Sequence, residues 1–481
     1  MKQRWTFPAA AKGARALLSP QIRDVIRRSV VSGQLRPGTR LPSSRGLAAE
    51  LGVSRNTVTE AYDQLLSEGV VRGRHGAGTF VTTSLPFEHR PPSPAVVDVA
   101  ALSNRGRTFN AITSSHSAGK LGPFSPGIPA LDASLLTTWF QAAASAARNS
   151  KAELLTYGDP AGYEPLRETV ASYLGPTRGI RCTADQILIT TGTQQAISIA
   201  AKLLLDEGQT SWVEDPGYPG AIAALLSAGA ELARVPIDRD GLNVAAGQRL
   251  APAARLAYVS PSHQYPLGVT MTVERRMELL AWAKRAGAWI LEDDYDSEFR
   301  HHGRTVPALQ GLDDSGCVLY FGTFSKSLFP SVRVGYLVVP SRIAPAFAKA
   351  MAIEGNGPPL IEQAALHQFI EGGGYRRHLK QVRALYRDRH AAFLEAMHKQ
   401  LGRTLRFSDG SMGLHITGEL SSRRDDRRLS TRAAATGLSL PPLSAYYGRQ
   451  PASRGFVMGY AHVPVPEIRA AVTVMARVLR S

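Results

Sequence analysis

The sequence predicts an α/β protein with a separate helical head at its N-terminus, and three features of the chain carry that expectation. From about residue 121 onward, apolar runs of strand length (ILIT, SWVED, LAYVS, WILEDD, VLYFGT) alternate with helical segments such as VERRMELLAWAKRAG. That alternation is the pattern of a mainly parallel sheet covered by helices. Residues 14–83 read instead as short helices parted by turn signals, and 84–120, rich in Pro, Ser and basic residues with little apolar periodicity, reads as a linker. The expected division is a head at 14–83, a linker at 84–120 and a body at 121–481. The body is long enough for a large α/β domain and a smaller α+β C-terminal subdomain from roughly residue 370.

In the head, Ile22, Ile26 and Val30 recur at helical spacing and the stripe ends at Gly33. Ser43 or Ser44 can cap a short helix (RGLAAEL), Gly52 makes a turn, and Ser54 caps a second helix whose Val58, Ala61, Tyr62, Leu65 and Leu66 point inward. Helix, turn, helix results. In such a unit the start of the second helix enters the major groove, which puts Arg55, Asn56, Thr57 and Thr59 against base edges and phosphates. Val70, Val71, Phe80 and Val81 flank RGRHGAGT, a hairpin with Arg72, Arg74 and His75 exposed, shaped like a basic wing along the backbone of double-stranded DNA. The alternative is a three-helix bundle whose arginines only solvate its surface.

Charge agrees with a polyanionic partner. The 481 residues hold 56 Lys+Arg against 39 Asp+Glu, a formal +17, and 14 of the bases against 6 of the acids precede residue 91. Cys182 and Cys317 are far apart, show no disulfide or metal spacing, and read as small buried hydrophobes. With no signal peptide and no run of 18 apolar residues, the expectation is a cytoplasmic protein without a membrane or metal partner.

In the body, the stretch YFGTFSKSLFPSVRVGY puts Lys326 in the polar turn after one apolar strand and before another. Open α/β sheets bind ligands at such strand ends. Other segments supply what a phosphorylated aldehyde cofactor requires. TTGTQQAI opens a helix after a strand, so the backbone amides of Gly192, Thr193 and Gln194 can cradle a phosphate. EDPGYPG presents Tyr218 for stacking. LEDDYDSEF sets Asp293 one α/β unit before Lys326, where a carboxylate can keep a pyridine nitrogen protonated, with Tyr295 as donor to the ring's phenolate oxygen. Arg333 can fork onto the phosphate, helped by the hydroxyl of Ser325 or Thr323. Each segment has an ordinary alternative: a surface lysine, a packed turn tyrosine, or a solvated or metal-binding acidic cluster.

LPSSRGLAAELGVSRNTV followed by EGVVRGRHGAGTFV resembles the winged helix-turn-helix of the GntR regulators over Ser19–Val81. The resemblance implies operator contacts from Arg45, Ser54, Arg55, Thr57, His75 and Gly76. TYGDPAGYEPLR, TTGTQQA, EDPGYPG, YVSPSHQYPLG, EDDYDSEF and FSKSLFPSVRVGY resemble the aminotransferases of PLP fold type I over residues 121–478. That resemblance implies pyridoxal 5'-phosphate as cofactor, Lys326 as the Schiff-base lysine, Asp293 and Tyr295 as ring partners, Arg333 as a phosphate ligand, and Tyr157 reaching the cofactor of a neighbouring subunit.

Joined in one chain, the two modules resemble the MocR/GabR family of transcriptional regulators. This implies a homodimer with each head against the other chain's body, and an amino-compound effector, or PLP itself, altering operator binding through internal and external aldimines at Lys326. A working aminotransferase with an autoregulatory head, and a PLP-free scaffold, are the competing classes. Two departures bear on turnover. Tyr265 stands where many aminotransferases carry an Asn before Pro, and Val457 stands about where they hold the substrate carboxylate with Arg, leaving Arg449 and Arg454 nearby. The run SRRDDRRLS (422–430) reads as a solvated helix or loop rather than a second DNA contact.

Overall fold

A computed structural model describes residues 19–74, 77–82, 102–112, 121–302, 306–408, 410–448 and 450–480. The chain forms two compact units, Met1–Ala101 and Leu102–Ser481. His75, Gly76 and Arg449, and most of the expected linker, lie outside the described residues.

The first unit contains α1 (Ser19–Val31), α2 (Ser44–Leu51), α3 (Arg55–Ser67), β1 (Val71–Arg74) and β2 (Gly78–Val81). Ser43 caps α2 by accepting from the Gly46 amide at 3.1 Å, and Ser54 caps α3 by accepting from the Thr57 amide at 3.1 Å. Gly52 ends α2 at φ 67°, a left-handed conformation in which glycine avoids the Cβ clash of other residues. Ile22, Ile26, Val30, Val58, Ala61, Tyr62 and Leu65 form the core with Leu35, Leu41 and Leu47, while Leu66, expected to point inward, is 38% exposed. The buried stripe on α3 is therefore Val58, Ala61, Tyr62 and Leu65, narrower than its apolar residues suggested. β1 and β2 pair antiparallel from Val71↔Val81 to Arg74↔Gly78, which is the wing.

In the second unit, a helix not expected from the linker composition occupies Asn104–Ala111. Ser103 caps it by accepting from the Gly106 amide at 3.0 Å, and the Arg105–Glu207 ion pair at 3.0 Å ties it to the body. Local capping and this tie supply what apolar periodicity did not.

The main sheet contains β3 (Ile187–Thr190), β4 (Thr210–Asp215), β5 (Glu231–Asp238), β6 (Gly241–Leu242), β7 (Leu256–Val259), β8 (Trp289–Asp294), β9 (Val318–Thr323) and β10 (Gly335–Val338), in the order β3-β10-β9-β8-β7-β4-β5-β6. Pairs β4–β5, β4–β7, β7–β8 and β8–β9 are parallel, whereas β10 runs antiparallel to both β3 and β9. The five apolar runs noted in the sequence form β3, β4, β7, β8 and β9. They are continuous rather than alternating because both faces are buried. Leu319 and Phe321 of β9 enter one core, and Val318 and Tyr320 enter cores on the other side.

The helix Val273–Ala286 follows its expected course between the Thr272 cap and Gly287 at φ 60°. The C-terminal part combines the long helix Gly374–Leu401, an antiparallel sheet of β11 (Leu405–Phe407), β12 (His415–Leu420) and β13 (Gly455–Gly459), and the helix Val465–Arg480. The SRRDDRRLS run becomes the helix Asp426–Ala434, capped by Asp425. Asp426 itself is buried and accepts from the Ser444 hydroxyl and amide and the Gly455 amide, so the run is only partly a solvated surface. Cys317 is buried as expected, but Cys182 is only half-buried. Among the described residues no helix is long and apolar enough to cross a membrane.

Candidate functional site

A cleft opens at the carboxyl ends of β3, β8 and β9. It is lined by Gly192, Thr193, Gln194, Tyr218, Asp293, Tyr295, Thr323, Ser325, Lys326 and Arg333, so the structure brings together ten of the eleven predicted body residues. Tyr157 is not among them. Its side chain is 89% exposed, away from this chain's own cleft.

β8 explains how one of three consecutive acids comes to serve the cleft. Successive side chains of a strand point to opposite faces. Glu292 accepts from the Leu309 and Gln310 amides at 2.7 and 2.8 Å near Arg276, and Asp294 meets Arg178 Nε at 3.1 Å and accepts from the Tyr320 hydroxyl at 2.7 Å. Asp293 between them turns to the cleft, where its Oδ2 accepts from the Tyr258 hydroxyl at 2.6 Å. The three consecutive acids therefore do not converge on one cation, whereas Asp296, two residues on, lies with His263 and His415, their ligand atoms within 4.8 Å of one another. Burial pushes the Asp293 carboxyl up to about 7, and its Oδ1 is buried without a hydrogen-bond partner. A buried acceptor left single is costly, and a protonated ring nitrogen is a donor that would satisfy it.

Lys326 Nζ donates to the Gly127 carbonyl at 2.9 Å. Burial lowers its pKa, opposed by the charges of Asp296 and Asp293, and so favours the neutral, nucleophilic amine. Gly127 lies at φ 71°, a left-handed conformation that favours glycine, and a Cβ there would stand 2.8 Å from Nζ.

Gly192, at φ 118°, precedes the helix Thr193–Leu204, whose first amides are free of intrahelical partners. β10 and β3 pair Gly335↔Thr190, a Cβ on Gly335 would stand 3.0 Å from Gly192 Cα, and Gly192 and Arg333 both line the cleft. Arg333 holds φ 49° without being glycine, a conformation usually found where the surroundings impose it. Thr323 Oγ1 accepts from the Ser325 amide at 3.1 Å. An anion between the helix start and Arg333 would meet backbone donors, hydroxyls and a guanidinium together. The orphaned Asp293 oxygen, the amine beside Gly127 and this anion cradle fit pyridoxal phosphate.

The Tyr295 hydroxyl donates to the His263 carbonyl at 2.9 Å, a contact not expected from the sequence. His263 Nδ1 lies 3.0 Å from Asp296, and His415 stacks at a tilt with a 4.8 Å centroid separation from His263. Tyr258, Asp296 and His415 line the cleft but were missed in the sequence. Tyr258 carried a legible signal in LAYVS, a strand beside WILEDD; His415 comes from the small sheet and carried none. Val457 is fully buried in β13, and Arg454 bonds the Arg423 carbonyl at 3.3 Å rather than lining the cleft.

Burial pushes the carboxyls of Glu214 and Glu292 up to about 7, as it does that of Asp293. These three carboxyls thus bind more protons in the folded protein than in the unfolded chain between about pH 4 and pH 7, so their contribution to stability falls as pH rises through that window. Asp293→Asn removes one of the titrating groups and is expected to reduce the slope. Urea midpoints of wild type and variant at either end of the window check this, and identical slopes would contradict it.

In the first unit Arg45, Arg55 and Asn56 are exposed, and Thr57 shares a 2.8 Å hydrogen bond with Ser54. Arg55 Nε reaches Ser44 Oγ at 3.4 Å, and Arg74 lies over the Phe80 ring at 5.3 Å. The predicted contact residues that are described therefore lie on α2, on the first turn of α3 and at the end of β1.

The pattern described as bacterial regulatory proteins, gntR family, matches residues 18–81, and that of aminotransferase class I and II matches residues 123–419. The chain is 39% identical to the probable rhizopine catabolism regulatory protein MocR of Rhizobium meliloti, covering 93% of this chain and 91% of that protein. It is 33% identical to the HTH-type pyridoxine biosynthesis transcriptional regulator PdxR of Corynebacterium glutamicum, over 92% and 91% of the two chains. Among solved structures, α-aminoadipate aminotransferase LysN of Thermus thermophilus, complexed with N-(5'-phosphopyridoxyl)-L-leucine, superposes with a TM-score of 0.69 at 26% identity, covering 79% of this chain and 95% of that one.

Proposed function

Because the chain belongs to the MocR-type transcriptional regulators, a GntR-type helix-turn-helix joined to an aminotransferase class I and II body, we propose that its cleft senses an amino compound and alters operator binding by its head. Regulation by DNA binding is its function, and pyridoxal phosphate is its cofactor. The observation that carries the sensing role is Lys326 beside Asp293, a depressed amine next to a buried carboxylate with one oxygen unpartnered. Pyridoxal phosphate supplies a carbonyl carbon that condenses reversibly with primary amines.

In this reading Lys326 anchors the cofactor, Asp293 holds the proton of the ring nitrogen, and Tyr258 orients Asp293 through its 2.6 Å hydrogen bond. Gly192, Thr193, Gln194, Thr323, Ser325 and Arg333 hold the phosphate, and Tyr218 covers the ring. Tyr295 serves the phenolate oxygen, its hydroxyl oriented by the His263 carbonyl. Tyr157, exposed here, meets the cofactor of a second copy in a homodimer. A ligand shifts such an equilibrium only through different affinity for two states of the protein. In the head, Arg55 and Asn56 read base edges while Arg45, Ser54, Thr57, Arg74, His75 and Gly76 fix its place on the duplex. The cytoplasm is the compartment that suits operator binding.

The test is a mobility-shift assay on the chain's own upstream DNA, with and without pyridoxal phosphate and a panel of amines. A specific complex whose affinity changes with the amine is expected, and indifference to every addition would sink the sensing role. In the same assay Arg55→Ala should weaken specific binding by about 1–3 kcal/mol. An equal loss on unrelated DNA would reduce Arg55 to a phosphate contact.

A further inference from the structure

The chemical character of the cleft narrows the amino compound, on the premise that the cleft senses one. Among the described residues that line it, the ordinary cations are Lys326 and Arg333, against the carboxylates Asp293 and Asp296. Lys326 is engaged with Gly127, and Arg333 lines the cleft with the Gly192 turn, on the side read above as the phosphate cradle. The remaining wall toward the small sheet is formed by Tyr265, Leu414 and His415. His415 Nε2 lies 3.2 Å from the Pro266 carbonyl, and burial followed by the neighbouring His263 pushes its pKa down to about 3, so its imidazole is neutral.

Behind Tyr265 lies an apolar cluster of Leu443, Tyr446 and Val457, and the Tyr265 and Tyr446 hydroxyls share a hydrogen bond of 3.0 Å. A carboxylate brought against this wall would be desolvated beside tyrosine, leucine and neutral histidine without a cation among the described residues. Such an anion is strongly disfavoured. A ligand hydroxyl faces no such penalty, because a tyrosine hydroxyl both donates and accepts, and a neutral imidazole that donates its Nε2–H to the Pro266 carbonyl still accepts at Nδ1.

We propose that the cleft selects a hydroxylated primary amine with no carboxylate next to its amino group, and that the Tyr265–His415 wall sets this preference. Matched pairs that differ only in the carboxylate test it: ethanolamine against serine, and tyramine against tyrosine. Each is titrated into the full-length protein loaded with pyridoxal phosphate while its absorbance spectrum is followed.

The amines should produce half of their spectral change at concentrations at least about tenfold below those of the matched amino acids. Ethanolamine should also act at lower concentration than ethylamine, and Tyr265→Phe should diminish that difference. Equal or tighter binding of the amino acids, whether or not Arg449→Ala abolishes it, overturns the inference, as does a loaded protein that responds to none of the compounds. A spectrum identical in wild type and Lys326→Ala marks the different failure in which the cofactor reading itself falls.

Discussion

Lys326→Ala is expected to abolish the visible absorbance that the protein acquires with pyridoxal phosphate, and with it any amine-dependent change in operator binding. The loss should be complete rather than graded. Lys326 is the one lysine lining the cleft among the described residues, and burial lowers its pKa toward the neutral form that attacks a carbonyl. Alanine removes the amine without adding volume. Borohydride reduction and mass spectrometry provide the second readout, with cofactor mass on the Lys326 peptide in wild type and none in the variant. Basal DNA binding by the variant should persist, because the contact residues belong to the other compact unit. Retained cofactor mass at another lysine would refute the assignment.

Arg178→Met should have the largest effect on stability, a loss of about 3–5 kcal/mol in the body. Arg178 is 9% exposed and meets two carboxylates, Asp294 through Nε and Glu298 through Nη2, both at 3.1 Å. Methionine replaces much of the volume but leaves two acids buried without their cation. Burial already raises the Glu298 pKa against the opposing effect of Arg178, so the variant should suffer more at neutral pH than at acid pH. Urea unfolding at both pH values measures this. Adding Asp294→Asn and Glu298→Gln to Arg178→Met should restore part of the stability. A loss independent of pH would show that packing, rather than uncompensated charge, is the cause.

Much of this architecture was legible along the chain because its cues are local. Ser43 and Ser54 announce α2 and α3, Gly52 and Gly287 end helices at positive φ, and five continuous apolar runs mark strands covered on both faces. Lys326, Asp293 and Arg333 were recognisable for a related reason. Each lies at or just beyond a strand end, and the sheet brings those ends to one edge. The helix at Asn104–Ala111 was not legible, since its stripe is not apolar and its tie to the body is the distant Glu207.

The sequence by itself determined the two modules, the order of the main strands along the chain, and the residue types expected at a site for a phosphorylated aldehyde. Tertiary structure decided which of Glu292, Asp293 and Asp294 faces the cleft, where the Tyr295 hydroxyl points, and that His415 of the small sheet completes the wall. The reason is physical. Propensity, capping and strand periodicity act between residues close in sequence, whereas burial, an orphaned acceptor and the charge of a cleft depend on groups brought together from strands far apart in the chain.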